Sequence, residues 1–158
     1  MEQYLVSIRL IERLHRRFLD VIKAELDRLG IQDINNVQTL ILFNINADQL
    51  TVGELTARGY YLGSNVSYNL KKLVENDYLL QERSSHDRRT TRVRLSPKGL
   101  ELTAKIAELY QRNSDELAAR LLTEDQLRQA NQVLLSLERY WSSQISFGAA
   151  FGNVELEG

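Results

Sequence analysis

The chain has 158 residues with 43% apolar and 26% charged side chains, the size and mixture of one globular domain, which excludes a disordered or collagen-like chain. Zero cysteines exclude disulfides, thiolate catalysis, iron–sulfur clusters, cysteine-ligated zinc and a thiol redox switch on this chain, while one proline and eight glycines leave so few helix breakers that helix is expected to dominate. The net charge of −1 hides an asymmetry: residues 58–98 hold nine Lys/Arg against four acids, +5, and the remainder carries −6, so one face is expected to meet a polyanion unless the segment is only a solvated charged loop.

The opening MEQYLVSIRLIERLHRRF carries charge inside its apolar stretch and has no small-residue cleavage site, so it is not read as a signal peptide. From 1 to about 29, Leu5, Ile8, Ile11, Leu14, Phe18, Val21, Ile22, Leu26 and Leu29 keep a three-and-four spacing that stops at Gly30. This predicts one long amphipathic helix. Leu10 and Leu19 lie off the stripe, making the apolar surface wider than one neighbour needs and pointing to a partner chain. Residues 35–46 open on the capping residue Asn35 and carry Val37, Leu40, Ile41, Leu42, Phe43 and Ile45, which predicts a short helix buried nearly all round. Thr51 and Glu54 make a capping box, with Leu50 able to staple onto Leu55, ahead of a second short helix over 52–58. Ser64 is the expected cap of a helix over 64–76 with the apolar stripe Val66, Leu70, Leu73 and Val74. The opposite face, Asn65, Ser67, Tyr68, Asn69, Lys71 and Lys72, is polar and basic without an acid.

The period then changes. Leu79–Arg83 and Thr91–Leu95 read as strands, the second alternating basic and apolar side chains, joined by the basic hairpin SSHDRRT. Ser96 and Pro97 supply a cap and a first-turn proline for a helix to about Leu121. Thr123 and Gln126, stapled by Leu122 and Leu127, open a last helix ending near Ile145. From Ser146 onward a tail is expected, docked by Phe147 and Phe151. No run reaches the roughly 18 to 20 apolar residues of a membrane helix, and the expected location is the cytoplasm.

Two short helices, the second basic on its outer face, followed by a basic hairpin, describe a helix-turn-helix with a wing. Such a helix fits the major groove, where Asn, Ser and Lys reach base edges, and a basic hairpin can follow the backbone or enter the minor groove. Over about Leu50 to Gly99 the segments LTVGEL, NVSYNLKKLVENDYL and HDRRTTRVRLSPKG resemble the MarR family of bacterial transcription regulators, the last matching the family's Asp-x-Arg wing, strand and Leu-Ser/Thr-x-x-Gly helix start.

The resemblance implies a mainly helical fold with a small β-hairpin wing: a dimerisation helix over 1–34, the winged helix-turn-helix over 35–98, dimerisation helices over 99–147 and a tail over 148–158, in one compact domain. It implies a homodimer binding a pseudo-palindromic operator. Ser64, Asn65, Ser67, Tyr68, Asn69, Lys71 and Lys72 would face the major groove. Arg89 would reach the minor groove, with Asp87 fixing its direction through a charge-assisted hydrogen bond, and Arg83, His86 and Arg88 would touch the backbone. A small aromatic or anionic effector is implied between the dimer helices and the winged helix, with Arg9, Arg13, His15, Arg17 and Phe43 as candidate lining residues. Where many relatives have Gly after the recognition helix, this chain has Asn76-Asp77, residues that tolerate a left-handed turn. Between Arg58 and Gly63 two tyrosines and two glycines replace the family's usual turn.

Blander readings stand beside these. Lys71 and Lys72 could be a solvated face, the hairpin arginines a solubility device, and Tyr60 and Tyr61 packing between helices. His15, Phe43 and Trp141 could be structural. No phosphate-cradling glycine loop, nucleophile with its base, paired carboxylates or metal-ligand cluster is present in the pattern, so neither an enzyme nor a cofactor is expected. The alternative from another class is a winged-helix protein–protein adaptor without DNA binding, against which the +5 segment argues.

Overall fold

The computed structural model describes residues 1–45, 50–57, 63–83 and 91–152, apart from the side chains of 52, 56, 57, 63, 64, 83, 91 and 146–152. In chain order these form α1 (Glu2–Arg28), α2 (Asn36–Ile45), β1 (Leu50–Thr51), α3 (Val52–Ala57), α4 (Gly63–Glu75), β2 (Leu79–Arg83), β3 (Thr91–Leu95), α5 (Pro97–Arg120) and α6 (Glu124–Gly152). The chain divides into two compact units, Met1–Tyr110 and Gln111–Gly158.

In the first unit, side chains in the sequence set the helix ends. At the end of α1, Gly30 takes φ 70°; its N–H donates to the Asp27 carbonyl, and Ile31 N–H donates to that of Leu26. This pairing satisfies carbonyls that a helix terminus leaves orphaned. At the start of α2, Asn35 Oδ1 accepts from Gln38 N–H at 2.9 Å and Gln38 Oε1 accepts from Asn35 N–H at 3.1 Å, so Gln38 completes a reciprocal cap. The expected box at α3 is present, with Thr51 N–H donating to Glu54 Oε2 at 2.7 Å and Glu54 N–H donating to Thr51 Oγ1 at 3.1 Å. Ser96 Oγ accepts from Gly99 N–H at 3.0 Å and caps α5.

The wing strands β2 and β3 pair antiparallel, with Leu79 opposite Leu95 and Glu82 opposite Arg92. A third strand joins them: β1 pairs antiparallel with β3, Leu50 opposite Val93, giving the order β1-β3-β2. Two residues are too short for the alternation that marks a strand, so β1 went unseen in the sequence; what holds it is the burial of both Leu50 and Val93.

The core of this unit joins Ile22 and Leu26 of α1, Ile41, Leu42 and Ile45 of α2, Leu55 of α3, Val66, Leu70 and Leu73 of α4, Leu79, Val93 and Leu95 of the sheet, and Leu102, Ile106 and Leu109 of α5. Each fully buried aliphatic side chain contributes roughly 1.5–3 kcal/mol relative to exposure. As its sequence predicts, α2 buries residues all round. By contrast α1 is divided along its length: no residue from 2 to 21 is buried, whereas Ile22, Glu25 and Leu26 are. Asn36 Nδ2 donates to the Leu19 carbonyl at 3.1 Å and ties α2 to the middle of α1.

The second unit holds the end of α5 and all of α6. Thr123 N–H donates to Gln126 Oε1 at 2.8 Å and Gln126 N–H donates to Thr123 Oγ1 at 3.2 Å, the box expected there. Among its described side chains none is buried; Leu121 is 73% exposed, Val133 60% and Ile145 74%. The expected end near Ile145 is corrected, because α6 continues to Gly152. Ala149 and Ala150 favour helix and no proline intervenes, so Gly148, at roughly 1 kcal/mol, does not stop it.

Candidate nucleic-acid interface

The stripe predicted for α4 is the one that packs: Val66, Leu70 and Leu73 are buried. The opposite side presents Asn65, Ser67, Tyr68 and Lys71 to solvent, Tyr68 with 62% of its surface exposed. The helix begins at Gly63, so Ser64 stands in its first turn instead of capping it, and the Ser64 side chain lies outside the described residues. Asn69 and Lys72 are half-buried. The Asn69 amide is occupied within the unit: Oδ1 accepts from Gln38 Nε2 at 3.2 Å and Nδ2 donates to the Asn65 carbonyl at 2.8 Å. It ties α4 to α2.

The last turn brings an acid beside the lysines. Glu75 Oε2 is 2.7 Å from Lys72 Nζ and Oε1 is 3.8 Å from Lys71 Nζ. The hydrogen bond between them holds the Glu75 carboxyl below the usual carboxylate range and the Lys72 ammonium above its ordinary value. The pairs are exposed and add little to stability, but they orient both lysines and halve the net charge at that end of α4.

On the sheet, Arg92 and Arg94 point to solvent while Val93 and Leu95 are buried, the alternation the sequence predicts. Arg94 Nε donates to Glu82 Oε1 at 2.7 Å across the strands. The backbone of Arg83 ends β2 opposite Thr91, but its side chain lies outside the described residues, as do His86, Asp87, Arg88 and Arg89 entirely.

The joint after α4 holds more than the left-handed turn that Asn76-Asp77 predicts. Asp77 takes φ 62°, its N–H donating to the Val74 carbonyl and Tyr78 N–H to that of Leu73. Tyr78 Oη donates to Asp33 Oδ1 at 2.8 Å, and Lys98 Nζ donates to Asp33 Oδ2 at 2.6 Å and to the Asn76 carbonyl at 2.9 Å. The ammonium also lies 4.2 Å from the centre of the Tyr78 ring. Asn76 Nδ2 donates to the Asp33 carbonyl, and Ser96 Oγ to that of Asp77. Burial pushes the Asp33 carboxyl up, but the bonds from Lys98 and Tyr78 outweigh it and hold the group below the usual carboxylate range; burial, then the bond to Asp33, pushes the Tyr78 hydroxyl up. These partners are 45 and 65 residues apart in sequence, beyond any local pattern.

Arg9, Arg13, His15 and Arg17 are all exposed on α1, Arg17 being 3.4 Å from Asp20. Phe43 is half-buried and meets Tyr110 edge-on at 4.8 Å, and Phe18 stacks on the same ring at 5.9 Å. Burial pushes the Tyr110 hydroxyl up. Among the described residues no group of three His, Cys, Asp or Glu could hold a metal ion, and no helix is long and apolar enough to cross a membrane.

The winged helix DNA-binding domain family matches residues 34–99. Among the solved structures that share the fold are two complexes with DNA. FabT from Streptococcus pneumoniae, in complex with DNA, has a TM-score of 0.70 at 17% identity over 89% of this chain and 99% of its own. A mutant MarR from E.coli complexed with operator DNA has a TM-score of 0.70 at 19% identity over 85% and 95%. Among curated proteins, the exopolysaccharide II synthesis transcriptional activator ExpG of Rhizobium meliloti is 38% identical over 145 residues, 92% of this chain and 75% of that protein. The chain belongs to the family of winged-helix transcriptional regulators that includes this activator, and its fold is that of the MarR regulators. In this regulator α3 and α4 stand at the helix-turn-helix positions of the winged-helix fold and β2 and β3 at the base of the wing.

Proposed function

We propose that the regulator works as a homodimer that presents two recognition helices to a pseudo-palindromic operator, with half-sites about one helical turn apart. Support for the dimer comes from the two flanking helices, each considered alone. Leu5, Val6, Leu10, Leu14, Phe18 and Val21 of α1 are all exposed, and so are Leu127, Val133, Leu134, Leu135 and Ile145 of α6. So many exposed apolar residues on long helices mark a surface that another chain covers.

The operator reading rests on α4, an otherwise well-packed helix that leaves Tyr68 largely exposed beside Asn65, Ser67 and Lys71. Amide, hydroxyl and ammonium groups on one face suit base edges and phosphates. By the resemblance of the wing segment, Arg89, directed by Asp87, would extend the contact into the minor groove, with Arg83, His86 and Arg88 on the backbone. A small aromatic or anionic effector then shifts the spacing of the two recognition helices, which requires only that it prefer one spacing. The half-buried aromatic group around Phe43 and the arginines Arg9, Arg13 and Arg17 supply the matching chemistry.

The test is selection of bound sequences from a random duplex library by the purified regulator, with Arg89→Ala alongside. The expected result is an enriched palindrome, with the variant binding it more weakly and its log–log salt slope flatter by about one unit, the loss of one cation contact. No enrichment above non-specific binding, with and without candidate effectors, would favour an adaptor without DNA binding.

A further inference from the structure

We propose that Asp33, Tyr78 and Lys98 are positioning residues that set the angle of the recognition helix and thereby the regulator's discrimination between DNA sequences. The inference rests on the operator reading above and concerns what holds the reading head.

The groups that would touch bases, Asn65, Ser67, Tyr68 and Lys71, occupy the first two-thirds of α4. Its other end is fastened by two distant segments at once, the loop before α2 and the junction of β3 with α5. The loop before α2 contributes Asp33, whose carboxylate takes the Tyr78 hydroxyl at 2.8 Å and whose carbonyl takes the Asn76 amide. The start of α5 contributes Lys98, which bridges Asp33 and the Asn76 carbonyl at 2.6 and 2.9 Å. Ser96 N–H donates to the Tyr78 carbonyl at 3.1 Å from the strand end.

This geometry amplifies small errors. Asn65 stands on α4 eleven positions before Asn76, the residue just past its end, roughly 16 Å at 1.5 Å per residue. Releasing the fastening and tilting α4 by about 5° would move the Asn65 end by roughly 1.4 Å, more than hydrogen-bond geometry tolerates. Phosphate contacts by long cationic side chains absorb such a shift, so the tilt should degrade base reading more than backbone binding. The cavity beside the joint, about 410 Å³, is lined by Asp33, Lys98, Glu101 and Lys105. These charges pair with one another, Lys98 with Asp33 and Lys105 with Glu101 at 2.6 Å, which marks a structural joint rather than a ligand site.

Asp33→Ala makes a sharp test because positioning and simple electrostatics predict opposite signs. Removing an acid from a DNA-binding protein should, by charge alone, tighten its grip on every duplex. The positioning role predicts that affinity for the selected operator falls about tenfold, the scale of one charge-assisted hydrogen bond, while affinity for an unrelated duplex holds or rises. Tyr78→Phe removes a hydroxyl without changing charge and should lower the ratio of specific to non-specific affinity in the same direction by a few-fold. Lys98→Arg, which keeps the cation, should recover most of the wild-type ratio relative to Lys98→Met. Circular dichroism confirms folding, and if Asp33→Ala does not fold, Tyr78→Phe decides. Operator and random-duplex affinities that rise together in Asp33→Ala, or an unchanged ratio in Tyr78→Phe, overturn the proposal. A wild-type regulator with no sequence preference would instead overturn the operator reading itself.

Discussion

Gly99 offers a measurable test of how tightly the turn after α4 is locked to α5. It is the third residue of α5 and buried, and a Cβ built on it would stand 2.3 Å from the Tyr78 carbonyl oxygen and 3.3 Å from the carbonyl carbon. The nearest atoms are backbone, so Gly99→Ala must move the main chain by about 1 Å to reach ordinary contact, a displacement that costs about 1–3 kcal/mol as overpacking. The shift also strains the 3.1 Å bond from Ser96 N–H to that carbonyl, for about a further 1 kcal/mol. Against this, alanine in a helix gains about 0.5–1 kcal/mol over glycine. The clash wins, and a net loss of about 1–3.5 kcal/mol is expected, which in a chain of this size lowers Tm by roughly 2–14 °C. Urea and thermal unfolding of wild type and variant at matched protein concentration provide the assay. A neutral or stabilised alanine variant would refute the reasoning, since only an open space at Gly99 lets the helix-propensity gain prevail.

The other expectations are quicker to check. Asp77 sits at φ 62°, so Asp77→Gly should stabilise the fold by about 0.5 kcal/mol and Asp77→Val should destabilise it by about 1–2 kcal/mol in chemical denaturation. Leu14→Glu places a charge on the exposed apolar side of α1, where Leu14 is 61% exposed; sedimentation equilibrium should find wild type at twice the 18.2 kDa chain mass and the variant shifted toward monomer. Deleting residues 1–20 should yield aggregated or unfolded chain, and a well-folded monomer would contradict the assembly. Because the Asp33 carboxyl is held below its ordinary range, its contribution is present above the unfolded value near pH 4 and lost as pH falls through the lower folded value. The stability gap between wild type and Asp33→Asn should therefore be widest at neutral pH and close in acid.

What the sequence revealed was what short-range chemistry encodes. Thr51 with Glu54 and Thr123 with Gln126 are boxes because a hydroxyl and a carboxylate or amide three residues apart reach each other's backbone; both formed. Three-and-four spacing likewise identified the buried side of α4. Hidden from it was whatever depends on residues meeting across the fold. Asn69 reads as a polar surface residue until Gln38, 31 positions away, takes its carbonyl. Glu75 lies one turn beyond the lysines it pairs with, outside the acid-free face that the sequence shows. The union of Asp33, Tyr78 and Lys98 had no signature, since an acid, a phenol and an amine in three unrelated segments suggest nothing until the core brings them together.

The uninterrupted backbone of α1 has a mechanical consequence. Between Glu2 and Arg28 there is neither glycine nor proline, so the helix contains no built-in place to kink. At 1.5 Å per residue it is a beam of roughly 40 Å, with one half bare and the other embedded through Ile22 and Leu26 in the same core that carries α4. With no such joint along the way, a displacement of the bare half is carried toward the core that holds α4. Inserting a pair of glycines near Arg16 would make a clutch of that beam, leaving the core folded while uncoupling it from whatever grips the other end.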